Sequence, residues 1–291
     1  MSSLTSSSEK PRKTAIVTGA ANGIGRSIAL RLARDGFNVA MNDLASQRDR
    51  LVSLSEEIRA LGLGSESSIH VGDVSVEEDV KGMVEEVERR FGGVDVMIAN
   101  AGISPMGSLF DTTVPQWDHT FNVNVRGTFL CYKYAAAQMI KQGRGGRIVG
   151  ASSLSGKTGT PYNFLIAYTG TKFAIRGITQ AAAGELGKHK ITVNAYAPGL
   201  VDTEQCECFL TSYRDRTLDS CLPTAQVIAE KFEKEGNMKP GDFYKSVNAN
   251  VPVGYTGVPD DIAGLVSYLV SDQAHFITGQ TISINGGVFC D

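Results

Sequence analysis

Thr14-Ala15-Ile16-Val17-Thr18 is a short apolar run that passes directly into Gly19-Ala20-Ala21-Asn22-Gly23-Ile24-Gly25, followed by a helical pattern through Ile28, Leu32 and Ala33. A buried strand, a glycine turn and a helix in that order constrain the chain more than any other stretch. Glycines let a backbone approach a pyrophosphate, and a helix N-terminus offers unpaired N–H groups with a partial positive charge. The spacing is Gly-x-x-x-Gly-x-Gly rather than Gly-x-Gly-x-x-Gly, and alone it would also suit a plain glycine-rich turn.

The alternation then repeats. Strands are expected at Phe37–Asn42, Ile69–Val71, Val94–Ala99, Arg147–Ala151, Ile191–Tyr196 and Gln280–Ile284, with amphipathic helices between them. This pattern predicts an α/β fold, a doubly wound parallel sheet with helices on both faces, in a single domain over 14–291. Residues 1–13 read as a flexible Ser-rich tail. Pro115 to Lys141 reads as one long helix, with Asn124 inside an apolar stretch as either a satisfied core amide or a functional group. Asp202 to Val253 breaks the rhythm and predicts a substrate lid containing a short helix over Thr224–Glu235.

Polar groups collect at the expected C-terminal ends of these strands, where open α/β sheets bind ligands. Asp43 lies eighteen residues beyond Gly25 and suits hydrogen bonding to an adenosine ribose while repelling a 2′-phosphate. NAD is therefore favoured over NADP, although Arg48 stands nearby; the plainer alternative is that Asp43 caps the next helix. Tyr168 and Lys172 are four residues apart on the helix expected over Ile166–Leu186, so they share a face. A fixed cation favours a phenolate, which makes a Tyr usable as an acid or base. Ser152-Ser153-Leu154-Ser155-Gly156 has no Gly-x-Ser-x-Gly elbow, which argues against a hydrolase.

Composition excludes other classes. With 291 residues, 42% of them hydrophobic, and a net charge of −3, nothing calls for nucleic acid or a membrane surface. No apolar run approaches the roughly 18 residues of a membrane span, and no signal peptide is evident. Cys131, Cys206, Cys208, Cys221 and Cys290 suit free thiols in a reducing, cytoplasmic setting; their spacing matches no usual zinc site, so no metal is expected.

In order along the chain, Thr18-Gly19-x-x-x-Gly23-Ile24-Gly25, Asp73, Asn100-Ala101-Gly102, Asn124, Ser153, Tyr168-x-x-x-Lys172 and Pro198-Gly199 resemble the classical short-chain dehydrogenase/reductase family. The Lys172–Gln180 and Thr278-Gly279-Gln280 stretches are similar to the acetoin/diacetyl reductase branch. The resemblance implies a Rossmann-type fold and a catalytic tetrad of Asn124, Ser153, Tyr168 and Lys172. Tyr168 would exchange a proton with the substrate oxygen and Ser153 would hold that oxygen. Lys172 would lower the Tyr pKa and bind the nicotinamide ribose, and Asn124 would hold a relay water. Gly19, Ile24 and Gly25 would cradle the pyrophosphate, Asp43 hold the adenosine ribose, Asp73 and Val74 the adenine, Asn100 the neighbouring ribose, and Val201 and Thr203 contact the carboxamide, with Asn22 also among the cofactor-binding residues. A homotetramer built through the helices that carry Asn124 and Tyr168 is also implied.

Two departures accompany the resemblance. The usual Ser lies thirteen residues before the Tyr, which gives Ser155, whereas the local Ser-Ser-x-x-Gly pattern gives Ser153 with two residues inserted around Pro161–Ile166. Phe209, Tyr213, Phe232, Phe243 and Tyr244 in the lid, with Met106, Tyr162 and Phe164, either wall a roomy apolar pocket or pack the lid onto the sheet. The expected activity is NAD-dependent interconversion of a secondary alcohol and a ketone, on a bulky lipophilic substrate. Reduction of acetoin or diacetyl is the alternative within enzymes, and a non-catalytic NAD-sensing protein the alternative outside them.

Overall fold

The computed structural model describes residues 12–159, 164–203, 239, 245 and 248–291. Among these, β1 (Thr14–Thr18), β2 (Asn38–Asp43), β3 (Ser67–Val71), β4 (Val96–Ala99), β5 (Gly146–Ala151), β6 (Ile191–Pro198) and β7 (Thr281–Ile284) form one sheet. Its order is β3-β2-β1-β4-β5-β6-β7, and every neighbouring pair is parallel. The order reverses between β1 and β4, and such a switch point opens a crevice at the carboxyl ends of the strands.

Side chains alternate across each strand, so a sheet covered on both faces must be apolar at consecutive positions. Ala15 and Val17 of β1, Val39 and Met41 of β2, and Val96 and Ile98 of β4 enter one core with α1 (Gly23–Arg34), α2 (Arg48–Ala60) and the helix Pro259–Val270. Ile16, Ala40 and Met97 enter the other, with α3 (Glu77–Phe91) and two helices described next. The doubly wound parallel sheet expected from the alternation is what the chain forms.

The segment read as one helix over Pro115–Lys141 is interrupted. It comprises α4 (Val114–Phe121), a π-helical turn at Asn122–Arg126, and α5 (Gly127–Gln142). A π turn widens the helix by one residue per turn and is frequent at functional sites; here Asn124 lies inside it. The expected helix Ile166–Leu186 is present with those bounds as α6, and Pro259–Val270 is α7. The tail proper lies outside the described residues, but Arg12 and Lys13 are anchored. Arg12 donates to Gly36 O and Leu63 O at 3.3 and 2.9 Å, and Lys13 pairs with Asp272 at 2.8 Å. Most of the expected lid, including Thr224–Glu235 and its five aromatics, also lies outside the described residues.

Candidate active site

The glycine turn is built for close approach. Gly19 has φ +63° and Gly23 φ +49°, a region that favours glycine. A Cβ on Gly25 would collide with the Gly19 carbonyl, so α1 begins hard against the turn. Asn22 caps α1 by position but its side chain makes no capping bond, and the first turn holds no acid. The Asn22 amide instead donates to Gln47 at 3.1 Å and accepts from Arg50. A cation that meets this end is thus Arg50, two residues along α2 from the Arg48 that the sequence suggested.

Asp43 ends β2 with one oxygen accepting from Ala21 N–H at 3.0 Å and the other from Leu44 N–H at 2.9 Å. Burial pushes its carboxyl above the ordinary value, against the opposing pull of those two N–H groups and of Arg50. The bond to Ala21 ties the acid to the glycine turn, which the helix-cap alternative does not require. Asp73 follows β3 and folds its own turn: Oδ1 accepts from Ser75 N–H and Ser75 Oγ, each at 2.8 Å. Val74 is buried against Gly127, where an added Cβ would lie 2.8 Å from Val74 Cγ2.

Asn100, after β4, is spent on the glycine turn. Its Nδ2 donates to Thr18 O at 2.9 Å and Gly19 O at 3.1 Å, and its Oδ1 accepts from the Tyr196 hydroxyl at 2.7 Å. Thr18 Oγ1 also accepts from the N–H groups of Asn100 and Ala101, each at 3.1 Å. Sequence reasoning missed Thr18 and Tyr196 as partners of Asn100. Tyr196 looks like core, and it is core at 1% exposure, yet its hydroxyl ends on a site residue.

Lys172 is 4% exposed. Its Nζ donates to Ala151 O at 2.7 Å, using one of three N–H groups, and lies 5.2 Å from the centre of the Tyr168 ring. Burial pushes the ammonium down to about 8. Its backbone carbonyl accepts from Ser152 Oγ at 3.1 Å, which fastens α6 to the end of β5. Asn124 is fully buried: Oδ1 accepts from Ile103 N–H, Nδ2 donates to Ile103 O, both at 2.8 Å, and Nδ2 also donates to Thr171 Oγ1 at 3.0 Å. The side chain is therefore a satisfied amide, joined to the Tyr/Lys helix through Thr171, another partner the sequence did not single out.

Ser153 lies two residues beyond the end of β5, and its Oγ accepts from Ser155 N–H at 3.1 Å, capping the 3₁₀ turn Leu154–Gly156. Both serines are buried. Val201 forms a bridge with Gly257, and Val201 and Thr203 are buried just beyond β6. The sequence-predicted site residues thus lie at or just beyond the C-terminal ends of the strands, at the start of α1, in the π turn or on α6. Among the described residues no cluster of His, Cys, Asp and Glu could hold a metal. Cys131 and Cys290 are free thiols; the other three cysteines lie outside the described residues. No helix of the described residues is long and apolar enough to cross a membrane.

The glycine cradle, the uncapped start of α1 and the acid fastened to that cradle fit a dinucleotide. The family described as short chain dehydrogenase matches residues 13–209, and one described as enoyl-(acyl carrier protein) reductase matches 224–289. The chain is 44% identical over 288 residues to a short-chain dehydrogenase/reductase of Armillaria gallica, covering 99% of this chain and 100% of the relative. It is 36% identical over 278 residues to an L-2,3-butanediol dehydrogenase of Corynebacterium glutamicum, covering 95% and 98%. Among solved structures, acetoin dehydrogenase YohF of Salmonella typhimurium matches with a TM-score of 0.75 at 30% identity, covering 95% of this chain and 97% of that one. This chain belongs to the short-chain dehydrogenase/reductase family. It is an oxidoreductase with a Rossmann-type fold, in a family that uses NAD(P).

The buried ammonium carries a pH signature. Lys172 sits near 8 in the folded protein against an ordinary 10.5, so between those values the folded state binds fewer protons than the unfolded one. Stability then rises with pH across that window. Without added cofactor, Lys172→Met should be more stable than wild type at pH 7 by denaturant unfolding, and the gap should narrow toward pH 10. A gap independent of pH would contradict the burial argument.

Proposed function

We propose that the protein interconverts a secondary alcohol and a ketone with NAD, using Tyr168 as the proton donor or acceptor. The observation that carries this reading is the Lys172 ammonium, buried and 5.2 Å from the Tyr168 ring, at the edge of the sheet where the glycine turn and Asp43 also lie. A bound nicotinamide would give hydride to the carbonyl carbon or take it from the carbinol carbon. The chain's own residues hold the oxygen and move the proton. Tyr168 exchanges its phenolic proton with the substrate oxygen, and Ser153 hydrogen-bonds the same oxygen. Ser155 N–H donates to Ser153 Oγ and fixes that hydroxyl, which supports Ser153 over Ser155 in this role. Lys172 favours the phenolate and has two further N–H groups for a ribose.

The Asn124 amide is occupied, so a relay water would rest on its main-chain carbonyl. That oxygen accepts from Thr128 Oγ1 at 2.7 Å and has a second lone pair. Likewise Asn100, with its side chain spent on the glycine turn, would meet a ribose through its main chain. Gly19, Asn22, Ile24 and Gly25 would line the pyrophosphate, Asp43 the adenosine ribose, Asp73 and Val74 the adenine, and Val201 and Thr203 the carboxamide.

A bulky lipophilic substrate is supported by the apolar, exposed stretch after β4, where Leu109, Phe110 and Val114 are 68%, 93% and 72% exposed. The likeness to a butanediol dehydrogenase and an acetoin dehydrogenase favours the second reading, a small acyloin or diketone. Turnover of purified protein with NAD⁺ and NADP⁺ across alcohols from acetoin to cyclic terpene alcohols separates the two. Tyr168→Phe should lower kcat at least a hundred-fold, about 3 kcal/mol of barrier, while NADH affinity is kept. Retained turnover in that variant would refute the role of Tyr168.

A homotetramer is the proposed assembly. Phe129 on α5 and Ile166 and Phe173 on α6 are exposed apolar groups on the helices expected to pair. Sedimentation should give a tetramer, and a monomer at all concentrations would contradict it.

A further inference from the structure

We propose that Asp291 is a positioning residue for the loop bearing Ser153 and Ser155: its carboxylate holds Lys157, and Lys157 holds the loop. The inference rests on that loop being part of the active site. The Lys157 side chain is 2% exposed, and that of Asp291 is 37% exposed. Lys157 Nζ donates to Asp291 Oδ2 at 2.5 Å and to Ser283 Oγ at 2.8 Å. Ser283 Oγ in turn donates to Asp291 Oδ1 at 3.0 Å, so three side chains close a ring beside β7. The Lys157 hydrogen bond holds the Asp291 carboxyl below its ordinary range, and Arg176 on α6 adds to the pull. An ammonium withdrawn from water is costly unless an anion meets it, and Asp291 supplies that anion.

The segment after β7 is shaped to deliver it. Asn285 accepts from Gly287 N–H and donates to Phe289 O, each at 2.9 Å. On the other side, Lys157 follows Gly156, which packs so close to α6 that an added Cβ would lie 2.7 Å from Lys172 O. A shift of Lys157 passes through Gly156 to Ser155, whose N–H holds Ser153 Oγ at 3.1 Å. The ring touches neither the glycine turn nor Asp43, so it acts on the reacting end of the site and not on dinucleotide affinity.

The test compares the full-length chain with Asp291→Asn and with the double variant Lys157→Met/Asp291→Asn. The readouts are kcat, NADH affinity by fluorescence, and amide exchange at Ser155–Thr158. Asp291→Asn leaves the buried ammonium without its anion; it should lower kcat about ten-fold and speed exchange in the loop, with NADH affinity within about two-fold. The double variant, which also removes the ammonium, should recover most of the kcat and the protection. Unchanged kcat and exchange in Asp291→Asn would overturn the proposal. So would a loss of NADH affinity in step with kcat that the double variant does not rescue. If the wild-type chain turned over no alcohol, the active-site reading would fall, and amide exchange alone would still decide whether Asp291 holds the loop.

Discussion

One buried ammonium group organises the reacting end of this molecule. Lys172 has almost no contact with solvent, and an ion so placed must find polar partners or lose its charge. Ala151 O meets it from the end of β5, and the Tyr168 face lies over it on the same helix. Holding it there requires close joints. Ser152 Oγ clasps the Lys172 carbonyl, and Gly156 must lack a side chain because that carbonyl and Ser152 Oγ occupy the space. The loop bearing Ser153, the Tyr/Lys helix and the sheet edge are therefore one packed unit.

The sheet supplies the positions and the glycine turn the approach. Because all seven strands among the described residues run parallel, their carboxyl ends lie on one edge, where Asp43 ends β2 and Asp73, Asn100 and Ser153 follow β3, β4 and β5. Asn100 is the joint between β1, β4 and β6: it grips the backbone of Thr18 and Gly19 while Tyr196 grips it. Fully satisfied buried polar networks of this kind rigidify a site, and a rigid site is what positional catalysis demands.

Much of this was legible in the chain, and the misses have physical causes. Runs of buried apolar residues mark β1, β2, β4, β5 and β6, whereas β7 is only half-buried and the buried positions of β3 are Ser68 and His70; α6 has the bounds its pattern predicts. The π turn was invisible: adding a residue to one helical turn leaves the apolar pattern around Asn124 nearly intact, so Pro115–Lys141 read as a single helix. Arg50, which bonds Asn22 from α2, carries no signal in the sequence that ties it to the glycine turn. Tyr196 and Thr171 were hidden because each looks like an ordinary core or helix residue; only the endpoint of its hydroxyl gives it a part in the site. The bond from Ser155 N–H to Ser153 Oγ, which caps the 3₁₀ turn, was likewise hidden in the Ser-Ser-x-x-Gly pattern.

The central claim is that this site passes hydride directly between a carbinol carbon and a nicotinamide while its side chains handle only the proton. The most direct measurement is the fate of deuterium during reduction of a ketone with NADH labelled at the 4-position. Each of the two C4 epimers is used in turn, so that one of them carries the label on the transferred face. Deuterium found on the carbinol carbon of the product, with none on the oxygen after exchange into water, is the predicted result. Ketone consumed with deuterium reaching the carbinol carbon from neither C4 epimer, or deuterium lost to water before reaching carbon, would contradict the account.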